Sequence, residues 1–169
     1  MRSAKASEDV IVGSIVKYVY AVDNTNLAVE QIAAETTRIL SLTVTENGYS
    51  QDKRTGKLAL NSDAIQSDLL ELRRASPCPK TAVGLMVAGL KLRFERKIKG
   101  MTVMCCDNLK KNGEMCEDLV LTLAGEVSED LVAWIKENVT FPNSMVDRIT
   151  PASDSKNEAY LLEKYRVDI

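Results

Sequence analysis

The sequence contains no histidine, and this absence removes several kinds of chemistry at once. Without histidine the chain cannot build a Ser-His-Asp or Cys-His nucleophilic site, and it lacks the commonest general base and metal ligand in proteins. Any acid–base chemistry performed by these residues alone must therefore use carboxylates or lysines.

Glycine is scarce, and its eight residues are poorly placed for binding a dinucleotide. Nucleotide-binding α/β domains open with a strand, a glycine-rich turn and a helix, because the turn lets the backbone approach the pyrophosphate. No GxGxxG occurs: Gly84 and Gly89 fall inside an amphipathic stretch, and Gly113 stands alone. Cofactor-binding residues are therefore unknown from the sequence.

The charge balance and the hydropathy exclude two classes of partner. The 22 basic and 24 acidic residues leave a net charge of −2, which gives no electrostatic case for nucleic acid or an anionic membrane surface. No apolar run approaches the roughly 18 residues that span a bilayer, and the polar N-terminus is not a secretory signal.

The four cysteines have no metal-binding or disulfide spacing. Cys105 and Cys106 are adjacent, while Cys78 and Cys116 complete no CxxC pair. We expect reduced, buried thiols in a cytoplasmic protein, and no metal site.

Hydrophobic patterning predicts alternating strands and helices over a length that fits one domain or a piece of one. Residues 10–20 are predicted to form a strand or two short extended pieces, and further strands are predicted at 38–45, 101–106 and 145–149. Helices are predicted at 27–35, 62–72, 81–97, from 113 to about 124, 128–138 and 154–165. Residues 50–60 are predicted to form a surface excursion or β-ribbon, and Gly100 to end the helix at 81–97. The nearly all-apolar strand at 101–106 is expected to be covered on both faces. The order predicts an α/β fold with a mostly parallel sheet flanked by helices.

Polar clusters follow two of the predicted strands. They are Thr45-Glu46-Asn47 and Asp107-Asn108. In parallel sheets ligands bind beyond the carboxyl ends of the strands, so these clusters are the best residue-based candidates for a functional site. In the later strand, Asp147 and Arg148 point to opposite faces, so only one of them can serve a given pocket.

Four segments resemble, in order, the middle of the mannitol dehydrogenase family of long-chain polyol and hexuronate dehydrogenases, which includes mannitol 2-dehydrogenase and fructuronate reductase. They are residues 12–18, residues 41–49, residues 102–109 with Asn112-Gly113, and residues 141–151. The chain departs from the family at Cys105, where serine is more usual, and at Lys110-Lys111, which replaces a more variable step.

The resemblance implies an NAD- or NADP-dependent enzyme that interconverts a polyol and a ketose, or a keto-sugar acid and its alcohol. Residues 1–169 would form the central and C-terminal part of an incomplete Rossmann-like cofactor domain, without the helical catalytic domain. The family's glycine-rich loop is expected before Met1, and its lysine base, with nearby Asn and His, after Ile169. The chain is therefore expected to be inactive, or nearly so, alone.

The resemblance also assigns roles to three residues. Asn108 matches the asparagine that helps form the oxyanion hole and contacts substrate, and Asp147 matches an aspartate that binds substrate hydroxyls. Glu46 matches a glutamate linked to proton passage. Each has a structural alternative: Asn108 as a strand-end turn, Glu46 as a turn carboxylate and Asp147 as the partner of a buried amide or arginine.

Two other functions stay open from the sequence. One is a non-catalytic α/β binding or scaffold module derived from the same family, and the other is an unrelated α/β enzyme such as a methyl- or acyltransferase. An incomplete parallel sheet would also leave an unpaired edge, so self-association through that edge is expected.

Overall fold

The computed structural model describes residues 13–146, 159, 162–164 and 166, with Glu46 described by its backbone alone. The elements, in chain order, are α1 (Thr25–Ala33), β1 (Ile39–Leu42), a 3₁₀ turn (Glu46–Tyr49), α2 (Asp63–Leu72), α3 (Ala82–Glu95), β2 (Thr102–Cys105), α4 (Asn112–Gly125) and α5 (Glu129–Asn138). Residues 159 and 162–164 are also helical, within the helix predicted at 154–165. The α/β order expected from the sequence is confirmed.

The two strands are parallel neighbours in one sheet. Their register pairs Ile39 with Thr102 and Leu42 with Cys105. Parallel neighbours need a long crossover, and here α2 and α3 supply it between β1 and β2. The predicted parallel sheet is therefore present, although both strands are shorter than the apolar runs suggested.

A third strand position is reduced to one residue, Thr140. Its N–H donates to Met101 O at 3.1 Å, and its carbonyl accepts from Val103 N at 2.9 Å, which makes a parallel bridge beside β2. The strand predicted at 145–149 is wrong for residues 145 and 146, and 147–149 lie outside the described residues. Pairing stops early because Pro142 has no N–H to donate.

Side-chain caps explain where four of the helices begin. The capping oxygens of Asn24, Ser62, Thr81 and Ser128 accept from the N–H groups of Leu27, Ile65, Gly84 and Leu131, respectively. Such caps satisfy N–H groups that have no partner within the helix. The helices predicted at 27–35, 62–72, 81–97 and 128–138 are confirmed to within two residues.

Helix α3 ends differently from the prediction. The left-handed residue after it is Lys97, with φ of 57°, rather than Gly100. Gly100 is needed for a different reason: a side chain there would overlap the carbonyl of Asn138 and lie 2.8 Å from its Cβ. The glycine therefore permits the end of α5 to approach the start of β2.

The core lies between α3 and its neighbours. Helix α3 contributes Val83, Met86, Val87 and Leu90, all at most 1% exposed. Helices α1, α2, α4 and α5 pack around it, and α4 also packs against β2. The ribbon predicted at 50–60 is present as an antiparallel bridge between Gln51 and Leu58.

Only one face of the sheet is well covered by described residues. On that face Val103 and Cys105 are fully buried, whereas on the other Ile39 is 58% exposed and Ser41 is also exposed. We call the second face, formed by Ile39, Ser41, Thr102 and Met104, the open face. The expectation that residues 101–106 are covered on both faces is therefore wrong within the described part of the chain.

Of the two predictions for residues 10–20, the strand is wrong over residues 13–20, and 10–12 lie outside the described residues. Val16 is 92% exposed, and Ile15 and Tyr18 are exposed as well. The β-branched and aromatic composition that favours a strand needs a neighbouring strand to pair with, and none of the described residues pairs here.

Candidate functional site

Three chain segments meet where the parallel strands end. The 3₁₀ turn Glu46–Tyr49 follows β1, residues 106–109 follow β2, and residues 141–146 follow the Thr140 bridge. We call this region the carboxyl edge. It contains both polar clusters that the sequence singled out, and it is the usual ligand-binding edge of such sheets.

A buried hydrogen bond joins the first two segments. The hydroxyl of Tyr49, which is fully buried, donates to Oδ2 of Asp107, and Oδ1 of Asp107 accepts from Leu109 N at 3.2 Å. Burial, and secondarily the bond to Asp107, raises the pKa of Tyr49. The phenol therefore stays protonated and holds the turn that contains Glu46 against the residue before Asn108.

Asn112 joins the second segment to the third. Its Nδ2 donates to Cys105 O at 3.1 Å, to Asp107 O at 3.2 Å and to Ser144 Oγ at 3.2 Å. Its Oδ1 accepts from Ser144 N at 2.9 Å. The side chain of this residue is fully buried, so these bonds are shielded from water.

Helix α4 is capped from outside its own sequence. Lys111, just before it, is left-handed and makes no side-chain cap. Instead, Asn143 Oδ1 accepts from Gly113 N at 3.0 Å and from Glu114 N at 3.2 Å. Gly113 allows this approach, because a Cβ there would lie 2.5 Å from Pro142 O. Residues 141–144 are thereby fastened to the start of α4.

The thiols near the site are structural. All four cysteines are free, as expected, but only Cys105 and Cys116 are fully buried, while Cys78 and Cys106 are partly exposed. Contact with Cys105, and then burial, raises the pKa of the Cys116 thiol, so it is a poor nucleophile. Cys105, where the family more often has serine, is the fully buried last residue of β2, and its thiol contacts the side chains of Cys116 and Tyr49.

The three residues expected to act on substrate are placed unequally. Asn108 is exposed at the carboxyl edge, next to the Tyr49–Asp107 bond. The backbone of Glu46 opens the 3₁₀ turn at the same edge. Asp147 lies outside the described residues, although Ser144, three residues earlier, is held at that edge.

Four residues hold the site together: Tyr49, Asp107, Asn112 and Asn143. Sequence reasoning singled out Asp107 only as a polar residue at a strand end, and it missed the role of the other three. All four lie within the segments that resemble the family, but a polar residue beside a strand end gives no sign of whether it will be buried. Asn112-Gly113 gave the clearest available signal, since an Asn-Gly pair marks a turn or helix boundary. The burial of the Asn112 side chain and its five hydrogen bonds can be seen only in the tertiary structure.

A cavity of about 390 Å³ opens beside the carboxyl edge. Its lining includes Asn47 from the 3₁₀ turn, Lys53 from the ribbon and Leu109, Lys110 and Met115 from the segment after β2. That volume is within the range of small-molecule sites. The mixture of amide, ammonium and apolar groups suits a small polar ligand.

The described residues do not form a cradle for a dinucleotide pyrophosphate. Such a cradle needs free N–H groups at a helix N-terminus, preceded by a glycine-rich turn. At α4, the helix that follows β2, Gly113 N and Glu114 N are already bonded to Asn143. We therefore assign no cofactor contact to these residues.

Two further findings concern the described part of the chain alone. No group of three or more His, Cys, Asp or Glu side chains within it is arranged to hold a metal ion. No helix in the same part has the length and apolarity needed to cross a membrane.

A parallel sheet with helical crossovers and a polar carboxyl edge defines a Rossmann-type domain. Residues 2–165 match the family described as the mannitol dehydrogenase Rossmann domain. The chain belongs to that family, which confirms the resemblance and excludes an unrelated methyl- or acyltransferase.

Individual relatives agree. The chain is 37% identical over 166 residues to a mannitol 2-dehydrogenase of Aspergillus fumigatus, covering 98% of this chain and 33% of the relative. It is 42% identical over 153 residues to D-mannonate oxidoreductase of Escherichia coli, covering 90% of this chain and 31% of that protein. The chain thus spans about a third of the length of these relatives.

Solved structures give the same result. A ternary complex of Pseudomonas fluorescens mannitol 2-dehydrogenase with NAD and D-mannitol has a TM-score of 0.73 and 37% identity, covering 90% of this chain and 30% of that one. A substrate-free D-sorbitol dehydrogenase has a TM-score of 0.70 and 35% identity, covering 85% and 29%.

Proposed function

We propose that this chain is part of the cofactor domain of an NAD- or NADP-dependent oxidoreductase. Its reaction would interconvert a polyol and a ketose, or a keto-sugar acid and its alcohol. The observation that carries the proposal is the carboxyl edge, where Asn108, the Glu46 turn and the segment leading to Asp147 converge in a chain of the mannitol dehydrogenase family.

The proposed roles follow from the chemistry of the three side chains. Asn108 donates an amide N–H to the oxygen that gains negative charge as the alcohol or carbonyl reacts, a role an amide performs without titrating. Asp147 accepts hydrogen bonds from substrate hydroxyls. Glu46, whose backbone begins the 3₁₀ turn at the carboxyl edge, passes the proton towards solvent.

The substrate class is supported by the relatives' names, which include mannitol, sorbitol and mannonate. The related ternary complex contains NAD, and NAD(H), when bound, supplies the hydride acceptor or donor. The free thiols favour a cytoplasmic setting for the protein.

We further propose that the 169 residues alone are inactive, or nearly so. They make up the central and C-terminal part of the cofactor domain, and the helical catalytic domain is not among them. The support is that their sequence contains no GxGxxG and that the N-terminus of α4 is already capped. The pyrophosphate grip and the catalytic base would then come from polypeptide other than these residues.

The test is a pair of assays with NAD(H) and NADP(H) on mannitol, sorbitol and mannonate and on their oxidised partners. The purified chain should give no turnover. A hybrid in which the chain replaces the matching third of the Pseudomonas fluorescens enzyme should turn over one of these pairs. In that hybrid Asn108→Ala should lower kcat about 100-fold or more, as for other oxyanion-hole donors. Asn138→Ala, at an exposed residue at the end of α5, is the matched control and should leave kcat unchanged.

A non-catalytic module derived from the family is the second candidate. The capped N-terminus of α4 favours it, since this start cannot bind a phosphate without losing the Asn143 bonds. A hybrid that folds and binds NAD but never turns over any of the substrates would favour the module. Neighbouring reading frames that encode the remaining two thirds of a relative would favour the enzyme.

A further inference from the structure

Asn112 uses its whole carboxamide within the protein. Both amide hydrogens are engaged by three acceptors: the carbonyl of the last residue of β2, the carbonyl of Asp107 in the segment after it, and the hydroxyl of Ser144. Its oxygen accepts from Ser144 N and from Gly113 N, both at 2.9 Å. No donor or acceptor of this side chain remains to contact a ligand, so any functional effect must act through the groups that it holds.

Those groups lead directly to two proposed substrate contacts. Asp107, whose carbonyl accepts from Asn112, immediately precedes Asn108. Ser144, bonded to Asn112 through both its backbone N and its hydroxyl, is three residues before Asp147. The hydroxyl of Ser144 also donates to Cys105 O, so the segment after Thr140 is bonded to β2 directly as well as through Asn112.

We propose that Asn112 is a positioning residue that fixes Asn108 and the approach to Asp147 relative to each other as one rigid joint. Only the roles of those two residues rest on the proposed function; the joint itself rests on the hydrogen bonds. The consequence for chemistry is large, because a displacement of about 1 Å at a reacting group costs on the order of 100-fold in rate.

The Tyr49–Asp107 bond supports this assignment independently. It holds the side chain of Asp107 while Asn112 holds the carbonyl of the same residue. The peptide entering Asn108 is therefore restrained from two directions. An asparagine that only stabilised the fold would have no reason to bond to the same residue that Tyr49 already holds.

The test uses Asn112→Asp, which keeps the shape but removes both N–H donors and puts a carboxylate against two carbonyls. The matched control is Asn138→Asp on α5, where the exposed amide makes a single bond to Trp134 O at 2.9 Å. Nuclear magnetic resonance of the purified 169-residue chain reports the backbone and carboxamide signals of Asn108 and the amide exchange of Ser144.

In Asn112→Asp we expect the Asn108 signals to shift, because the Asp107 carbonyl before that residue loses its Nδ2 donor and faces a carboxylate instead. Ser144 N–H keeps an oxygen acceptor at residue 112, so its exchange should stay slow and shows that the segment is still folded. Amides of α2 should be unchanged. If this variant does not fold, Ser144→Ala decides, since it removes both hydrogen bonds of the Ser144 hydroxyl, from Asn112 Nδ2 and to Cys105 O, without placing a charge. The same shift at Asn108 is expected.

Unchanged Asn108 signals in a folded Asn112→Asp or in Ser144→Ala, or a change no larger than in Asn138→Asp, would overturn the proposal. No cofactor or sugar is present in these measurements. The joint can therefore fail while the oxidoreductase role stands, and the reverse outcome is equally recognisable.

Discussion

The two faces of the sheet differ in how completely this chain covers them. On the covered face Val103 and Cys105 are fully buried, and α4 packs against the strand that contains them. On the open face Ile39 is 58% exposed, although it is as apolar as its buried counterparts. Parallel sheets are normally covered by helices on both faces, so the described residues complete one layer and leave the other unfinished.

The covered side also satisfies its buried polar groups. Arg93 is fully buried and donates to carbonyls at the end of α1 and before β2, including Ala34 O at 2.7 Å and Lys99 O at 2.6 Å. Asp68 is equally buried and accepts from Lys80 N at 2.7 Å and Thr81 Oγ1 at 2.6 Å. No buried side-chain nitrogen or oxygen in the described part lacks a partner. We therefore expect mutations on the covered side to lower the free energy of unfolding far more than mutations on the open face.

The largest effect is expected from Arg93→Met. The substitution keeps an apolar stem but removes every guanidinium bond to the four carbonyls of Ile32, Ala34, Lys99 and Gly100. Buried groups left without partners are costly, so we expect the free energy of unfolding to fall by about 3–5 kcal/mol. Urea denaturation followed by circular dichroism measures it.

Arg96→Met is the control for that prediction. Arg96 is the exposed residue that follows α3, and it forms a bidentate pair with Glu30 at 2.7 Å. An exposed ion pair contributes about 1 kcal/mol or less. If Arg93→Met and Arg96→Met lowered the free energy of unfolding equally, burial would not explain how much each arginine contributes. The contrast between covered and exposed positions would then be wrong.

The helices of the covered side were the part of the fold that sequence could predict. Their starts follow from local capping by Ser62, Thr81 and Ser128, which needs only a few neighbouring residues. The strands were predicted too long, because strand length depends on partners distant in sequence. Residues 13–20 show this most clearly, since strand-like composition there meets no paired neighbour among the described residues.

The location of the candidate site could be predicted from the sequence, but the hydrogen bonds that form it could not. Polar residues after two strands located the carboxyl edge, and Asn108 lies there as expected. The joints that form it connect Tyr49 to Asp107 across 58 residues and Asn112 to Ser144 across 32. No local pattern encodes contacts at such separations. The predicted roles of Glu46 and Asp147 remain predictions.

The next effect in size concerns two helical glycines. In α3 a Cβ on Gly84 would overlap the Asp68 carboxylate and lie 2.8 Å from Pro79 Cβ, whereas a Cβ on Gly125 would meet only Val132 at an ordinary 3.8 Å. We expect Gly84→Ala to destabilise by about 1–3 kcal/mol through overpacking. Gly125→Ala should stabilise by about 0.5 kcal/mol through helix propensity.

Thermal unfolding of the two alanine variants side by side provides the measurement. Because the substitution is identical, only the surroundings can give the two shifts in Tm opposite signs. A gain in Tm for Gly84→Ala would mean that α2 and α3 are not packed closely at Asp68, and the covered side would be looser than described.

The open face predicts association rather than instability. Strand β1 exposes Ile39 on the open face, and no described strand pairs with its outer edge. Exposed apolar strands at a sheet edge pair readily with other chains, so the isolated chain should self-associate. Ile39→Lys should shift the distribution towards monomer while changing the free energy of unfolding by only about 0.5 kcal/mol. Sedimentation velocity at several concentrations follows the shift. Leu70→Lys, at a residue 64% exposed on α2, is the control and should leave association unchanged.

The smallest effect is the pH dependence of the Glu30–Arg96 pair. Hydrogen bonding to Arg96 holds the pKa of Glu30 below its ordinary value of 4.5, against a weaker opposing effect of burial. A folded-state pKa below the unfolded value means that the stabilisation is present above about pH 4.5 and is lost as the pH falls through the folded pKa. Both side chains are nearly half exposed, so screening limits it to about 0.5 kcal/mol or less.

Glu30→Gln should therefore remove only the small part of the stability that the wild-type chain loses as the pH falls towards the folded-state pKa of Glu30. The measurement compares urea midpoints at pH 7 and pH 3.5 for Glu30→Gln and for Glu137→Gln, a matched variant of an exposed carboxylate on α5. The midpoint should depend less on pH in the first variant than in the second. A large acid-side effect of Glu30→Gln would mean that surface charge, and not the buried bonds of Arg93 and Asp68, holds the covered side together. The contrast between the two faces would then have to be explained by electrostatics instead of packing.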